Sequence, residues 1–294
     1  MSLTLQNIFS SFEIGKAWSF TLLFSIVFYF IISVFWRDSR SFFLLSIFFT
    51  VILIISYSWA SHPASLSQWS GLINHFIHFT SVCVWVGILF LVGWFSKDTS
   101  NWLSFLRWYT PLSIICLSFT MISGFFIMTM IIDFSEYTSS WLVNYGQSLL
   151  IKHIFIIPIF LFAFTNSFLV KRRLKSEKAF NPIPWVRAEG ILLLCIFTAT
   201  SVLSQQEPPH DIETTVKSMG ISPFLALLNS SITIDTVSVQ LQFTLTTMLL
   251  FSLALVFLFT TFLAFKKRVS AYISVLLGLL SALSIYLALM SGVH

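Results

Sequence analysis

The residues with the most chemistry to offer are the six histidines, His62, His75, His78, His153, His210 and His294. His75 and His78 are three apart, so on a helix they stack on one face. Met121 and Met128 are seven apart and share a face in the same way. Imidazole and thioether are ligands suited to copper, the thioether especially to Cu(I), whereas zinc would accept the imidazoles and gain little from methionine. Carboxylates are nearly absent from the apolar stretches that hold these residues, Glu189 being the exception, so an oxygen-lined path for Ca²⁺ or Mg²⁺ is disfavoured. Lys152 stands directly before His153. It either snorkels outward or borders a wet cavity. A fixed cation there would repel copper, so gating or anion pairing suits it better than ligation. Plainer readings stand beside these. His62 and His294 fit hydrated residues at an interface, His210 in Pro208-Pro209-His210-Asp211 fits a solvated loop, and Met121, Met128 and Met130 fit core packing. The His75/His78 pair is the hardest to dismiss in that way.

The elements that must position these groups follow from composition. The chain of 294 residues is 57% hydrophobic and 9% charged, with a mean hydropathy of +0.91. A soluble domain carries roughly 25% charge, so this surface must be wetted by lipid. Thirty-four Phe and ten Trp agree with a bilayer and its interfaces. A helical span needs about 20 apolar residues. Runs of that kind lie at 18–36, 42–60, 70–95, 108–132, 146–170, 187–206, 239–265 and 269–291. They predict an all-α, polytopic integral membrane bundle of eight transmembrane helices in one membrane domain over 1–294. Closed β-barrels are excluded, because their strands alternate and these runs are continuous. The long connector 207–238 contains the apolar patch 221–228, either a re-entrant or interfacial piece or an ordinary loop. Residues 1–17 lack the features of a cleavable signal, and Leu3, Leu5, Ile8, Phe9 and Phe12 suit a short helix lying on the membrane. Cys83, Cys116 and Cys195 fall inside apolar runs without a C-x-x-C, which argues for small core residues rather than a disulfide or thiolate box.

Thirteen of the sixteen Lys and Arg fall in alternate connectors: Arg37 and Arg40, then Lys97 and Arg107, then Lys171, Arg172, Arg173, Lys175, Lys178 and Arg187, then Lys266, Lys267 and Arg268. The opposite connectors hold Lys16 and Lys217. The positive-inside rule then makes the basic connectors cytoplasmic and both termini extracytoplasmic. On that topology all six histidines belong to the outer half. With a rise of 1.5 Å per residue, His75 and His78 lie roughly 7–12 Å below the outer boundary, His153 about 10 Å, Met128 about 6 Å and Met121 about 16 Å. Three helices thus offer His or Met at one level. Polar groups so deep are costly unless paired, hydrated or ligated.

Three ordered stretches carry a family likeness. His78, Trp85 and Gly87 occur in HFTSVCVWVG; Tyr145-Gly146, Lys152 and Asn166 occur in NYGQSLLIKHIFIIPIFLFAFTN; Arg187, Glu189 and Pro208-Pro209 occur in WVRAEGILLLCIFTATSVLSQQEPP. In this order the chain resembles the copper resistance protein D (CopD) family and is similar to the membrane domain of YcnJ-type copper uptake proteins. The resemblance covers most of the chain, most strongly 70–210. It implies a bacterial cytoplasmic-membrane protein of copper uptake or handling, often served by an extracytoplasmic CopC-like copper chaperone. No soluble copper-binding domain is fused here as in YcnJ-type relatives, which implies delivery by a separate partner or from free ion. The resemblance also gives the Lys152 position a role beyond snorkelling.

The leading reading is copper transport. The ion is captured outside by His62, His210 or the acidic loop, passes to a site made from some of His75, His78, Met121, Met128 and His153, and moves inward. An inside-negative potential favours entry of a monovalent cation by about 2.3 kcal/mol per 100 mV, and no phosphate-binding loop for an ATP motor is seen. Two alternatives remain open. One is a b-type haem electron carrier, with His78 and His153 as axial ligands. The other is a chaperone that hands copper to an enzyme without transport. No nucleophile–base set or carboxylate pair points to an enzyme.

Overall fold

The structure is a computed structural model that describes residues 9, 11–35, 39–177, 179–209, 211–229, 232 and 239–294. His210, Arg37, Lys178 and the segment with Leu3, Leu5 and Ile8 lie outside the described residues. Among the described residues, eight helices are long and apolar enough to cross a membrane: α1 Glu13–Phe35, α2 Arg40–Trp59, α3 Gln68–Phe95, α4 Trp102–Thr129, α5 Asn144–Ser176, α6 Ile183–Ser204, α7 Leu245–Lys266 and α8 Ala271–Ser291. The chain is a multi-pass, all-helical membrane protein.

These helices carry apolar side chains on every face, which only lipid can solvate, and helical hydrogen bonding satisfies the backbone where water is absent. Their starts are capped by hydroxyls. Ser39 accepts from the Phe42 amide (3.3 Å), Thr244 from Thr247 (3.2 Å) and Ser270 from Tyr272 (3.3 Å). Many Ser and Thr inside the spans donate back to the carbonyl four residues earlier, as Thr50, Ser118 and Thr260 do. This settles their polarity within their own helix.

The chain divides into two compact units, residues 1–84 with 114–131 and residues 85–113 with 132–294. The first unit is built on the pairing of α1 with α2. The buried Ser56 hydroxyl donates to the Ala17 carbonyl (3.0 Å) and meets Thr21 Oγ1 (2.8 Å), while Phe28 stacks on Phe49 with centroids 5.4 Å apart. Fully buried Ala17 allows this close approach.

The second unit is built around α8, whose buried face is a run of small residues, Ser274, Gly278, Ser281, Ala282 and Ala288. It packs against α5, α6 and α7. Ser281 donates to the Ala254 carbonyl of α7 (3.2 Å), and a Cβ at Gly278 would stand 3.3 Å from Pro158 of α5. Small side chains let backbones approach where lipid gives no hydrophobic push. One end of this unit gathers the basic connectors. Arg173 donates to Glu177 (3.2 Å) and to the Phe265 carbonyl (3.1 Å), Arg268 pairs with Glu177 (3.3 Å), and Arg187 donates to the Gly93 carbonyl (2.8 Å).

The opposite end is closed by loops. Ser222 N donates to the Leu142 carbonyl (2.7 Å), and Asn229 Nδ2 to the Val293 carbonyl (2.5 Å). Gln240 and His294 exchange backbone hydrogen bonds of 2.9 and 3.0 Å. This pairing corrects the expected seventh span. Residues 239–242 are extended and tied to 292–294, so α7 begins at Leu245 rather than at 239. Among the described residues of the long connector are two short helices, Ile212–Met219 and Pro223–Leu228. The first is capped by Asp211, which accepts from the Thr214 amide (2.9 Å). Its carboxyl lies below the usual range because Thr214 holds the charged form with side-chain and backbone bonds.

α5 departs from regular helix at Thr165–Leu169, which forms one π turn. Such a turn inserts an extra residue and re-aims the side chains beyond it. Asn166 sits within it.

Candidate functional site

In the first unit, α3 presents both of its histidines to neighbouring helices. His75 Nδ1 lies 3.2 Å from Ser58 Oγ of α2, a fully buried hydroxyl. The rings of Tyr57 and Phe79 flank it at 5.6 and 6.2 Å. His78 Nδ1 donates to the Thr120 carbonyl of α4 (3.0 Å). A carbonyl only accepts, so Nδ1 of His78 carries the proton and, in the neutral ring, the lone pair belongs to Nε2. Ser123 Oγ lies 3.3 Å from the same Nδ1 while donating its own proton to Phe119 O (2.5 Å). Gly124 makes the room. A Cβ there would stand 3.2 Å from His78 Cε1. This is the arrangement by which a second hydrogen bond fixes the tautomer and aim of a ligating imidazole.

The other expected residues of this unit are less engaged. Met128 is half-buried near the end of α4, and Met121 is 38% exposed, which argues against a role as core filler. His62 is exposed at the start of the short helix His62–Leu66, where its carbonyl accepts from Ser65 (2.7 Å).

In the second unit His153 lies two and a half turns into α5, at the loop-closed end. Its Nδ1 is 2.7 Å from the hydroxyl of Tyr137, which belongs to the turn between α4 and α5. Burial pushes the Tyr137 phenol up to about 12, so its proton stays in place well beyond neutral pH. The turn is held by Gly146, where a Cβ would fall 1.9 Å from the Ser140 carbonyl. Only glycine admits this contact. Beside His153, Lys152 is half-buried, and among the described residues no carboxylate pairs with it. Nearer the loop-closed end of α5, Gln147, fully buried, donates to the Trp141 carbonyl (2.7 Å) and accepts from Tyr286 (2.7 Å).

Sequence reasoning missed the partners Thr120, Ser123, Gly124 and Tyr137. The small, hydroxyl-bearing stretch SFTMISG of α4 was their one visible signal. Among the described residues no three His, Cys, Asp or Glu come together in a group that could hold a metal ion.

Residues 103–203 match the family model of copper resistance protein D, CopD. The CopD match runs from α4 almost to the end of α6. It takes in Met121, Met128, Lys152, His153, Asn166 and Glu189, while His75 and His78 precede it. No curated protein and no solved structure matches the chain. Among the described residues the chain thus has eight helices long and apolar enough to cross a membrane and one segment similar to copper resistance protein D.

Proposed function

We propose that the chain carries copper across the bacterial cytoplasmic membrane, inward from the extracytoplasmic side, using His78 and His153 as intramembrane stations. The observation that carries this reading is the fixed tautomer of His78. An imidazole whose Nδ1–H is spent on the Thr120 carbonyl offers a soft, oriented Nε2 to a metal. His153 in the other unit has its Nδ1 2.7 Å from the Tyr137 hydroxyl, a contact in which either group can donate. His75, Met121 and Met128 add ligands to the pathway, and capture outside falls to His62, His210 or the acidic loop of Glu207, Asp211 and Glu213. With mixed imidazole and thioether donors, Cu(I) is the favoured cargo over Cu(II). Both termini lie outside on this reading, and a CopC-like protein or free ion is the source. Lys152 gates the path by its charge.

Purified protein in proteoliposomes with an inside-negative potential tests this. Copper accumulation above empty vesicles is expected, reduced at least tenfold in His78→Ala and His153→Ala. Flux equal to empty vesicles would reject transport. Retained copper binding without flux, with loss of an extracytoplasmic cuproenzyme activity in cells, would favour the chaperone role. The Nδ1–H tautomer of His78 equally suits an axial ligand of haem b. A Soret band in the purified protein would reassign the histidines to that group.

A further inference from the structure

The copper reading makes no use of Glu189, the most deeply buried carboxyl among the described residues. It sits in α6 at 2% exposure, inside a membrane span. Its hydrogen-bond partner is Asn166 of α5, whose Nδ2 donates to Glu189 Oε2 (2.7 Å) and to the Trp185 carbonyl (3.0 Å). No Lys, Arg or His among the described residues pairs with it. Arg187, two residues earlier, is turned to the Gly93 carbonyl. An ionised carboxyl in this setting has to be met by something that the protein does not itself supply.

The structure holds a place for that something. A small cavity within the second unit is lined by Glu189, Asn166, Ser167, Tyr109 and Ser113 against an apolar wall that includes Trp85. Asn166 is 7% exposed, and its Oδ1 has no hydrogen-bond partner, an orphaned acceptor on a side chain that lines the cavity. Such an atom is accounted for by strain, by a chemical role or by a visiting water or ion. Tyr109 is the other titratable side chain in the lining, and its hydroxyl donates to the Trp85 carbonyl (2.9 Å). α3, α5 and α6 bring no basic group to the lining, and no residue of α7 or α8 reaches it. The π turn at Thr165–Leu169 brings Asn166 to this position.

We propose that Glu189 is a proton-binding site inside the bundle, loaded and unloaded through this cavity. The step is a plain proton transfer. A hydronium arriving in the cavity gives its proton to a carboxylate oxygen of Glu189, one O–H bond forms as another breaks, and water leaves. Asn166 is the positioning residue. Its amide holds Oε2, and its vacant Oδ1 accepts from the water or from the new carboxyl O–H. The proposal stands whether or not copper is the cargo.

Infrared difference spectroscopy on protein in nanodiscs during a pH titration tests it. Subtracting the Glu189→Gln spectrum from the wild type should leave a carboxylic-acid C=O band that disappears as pH rises, with its midpoint displaced in Asn166→Leu. Absence of such a band would overturn the proposal. A band that instead follows sodium or copper concentration at fixed pH would assign the cavity to a metal ion and overturn it too. Dicyclohexylcarbodiimide, which attacks protonated carboxyls in apolar surroundings, covers the case where the variants fail to fold. Labelling of wild-type Glu189, mapped by mass spectrometry, should fall with rising pH, and a Glu189 unlabelled at every pH would refute the assignment.

Discussion

His78 shows how little of a residue's surroundings is visible in its own side chain. The partners that fix it are a backbone carbonyl, a serine and the absent side chain of Gly124. Gly124→Val should therefore push the ring off Thr120. Loss of such an orienting contact typically costs 10–100-fold in metal affinity, so about that loss of copper affinity is expected, at unchanged helix content by circular dichroism. Unaltered affinity would mean that the ring's aim does not matter to the metal. Tyr137→Phe should weaken the hold on His153 and cost about 1 kcal/mol of stability. The phenol also has a pH signature. Its proton is held to about 12 in the folded protein against about 10 in an unfolded chain. A raised pKa contributes stability that is complete below the unfolded value and is lost as pH climbs through the folded one. Wild type should thus lose thermal stability between about pH 10 and 12 by more than Tyr137→Phe does. The histidines themselves were legible in sequence from type and spacing. Their partners were not, because a carbonyl has no letter and small residues of α4 look like ordinary packing.

At the scale of elements, the helices were legible because lipid requires long apolar runs, and that requirement writes itself directly into the sequence. Departures arose where polar backbone found another use. The segment 239–242, Val-Gln-Leu-Gln, alternates apolar and polar residues and pairs with 292–294 instead of extending the span. The turn before α5 depends on Gly146 lying against the Ser140 carbonyl. Gly146→Ala has nowhere to place its methyl and should lower stability by about 1–3 kcal/mol, read as a lower midpoint of thermal unfolding in detergent. An unchanged midpoint would show that the turn yields at little cost. α8 makes the complementary point. Its row of Ser, Ala and Gly reads in sequence as bland, and in the structure it is the seam on which α5, α6 and α7 close.

At the scale of the molecule, charge and chemistry separate to opposite ends of the second unit. Arg173, Arg187 and Arg268 bind backbone and Glu177 at one end, while Tyr137 and His153 lie at the other. The orientation proposed from charge bias has a direct check. With the native cysteines replaced, Thr215→Cys should react with a membrane-impermeant maleimide on intact cells, and Lys175→Cys only after lysis. The reverse pattern would invert the protein in the membrane and place the Tyr137 and His153 end at the cytoplasmic side.

One consequence belongs to the π turn of α5. A helix that carries one residue too many is a rod with a built-in dislocation, and such a defect can be healed. Deleting a single residue near Phe168 would let the rod close into regular pitch, turning Asn166 and the basic Lys171–Lys175 end by roughly 100° relative to each other, one residue's worth of helical twist. The rod would gain regularity and lose the clasp between α5 and Glu189. In this protein a small length error, retained, is what joins an arginine-rich end to a buried acid.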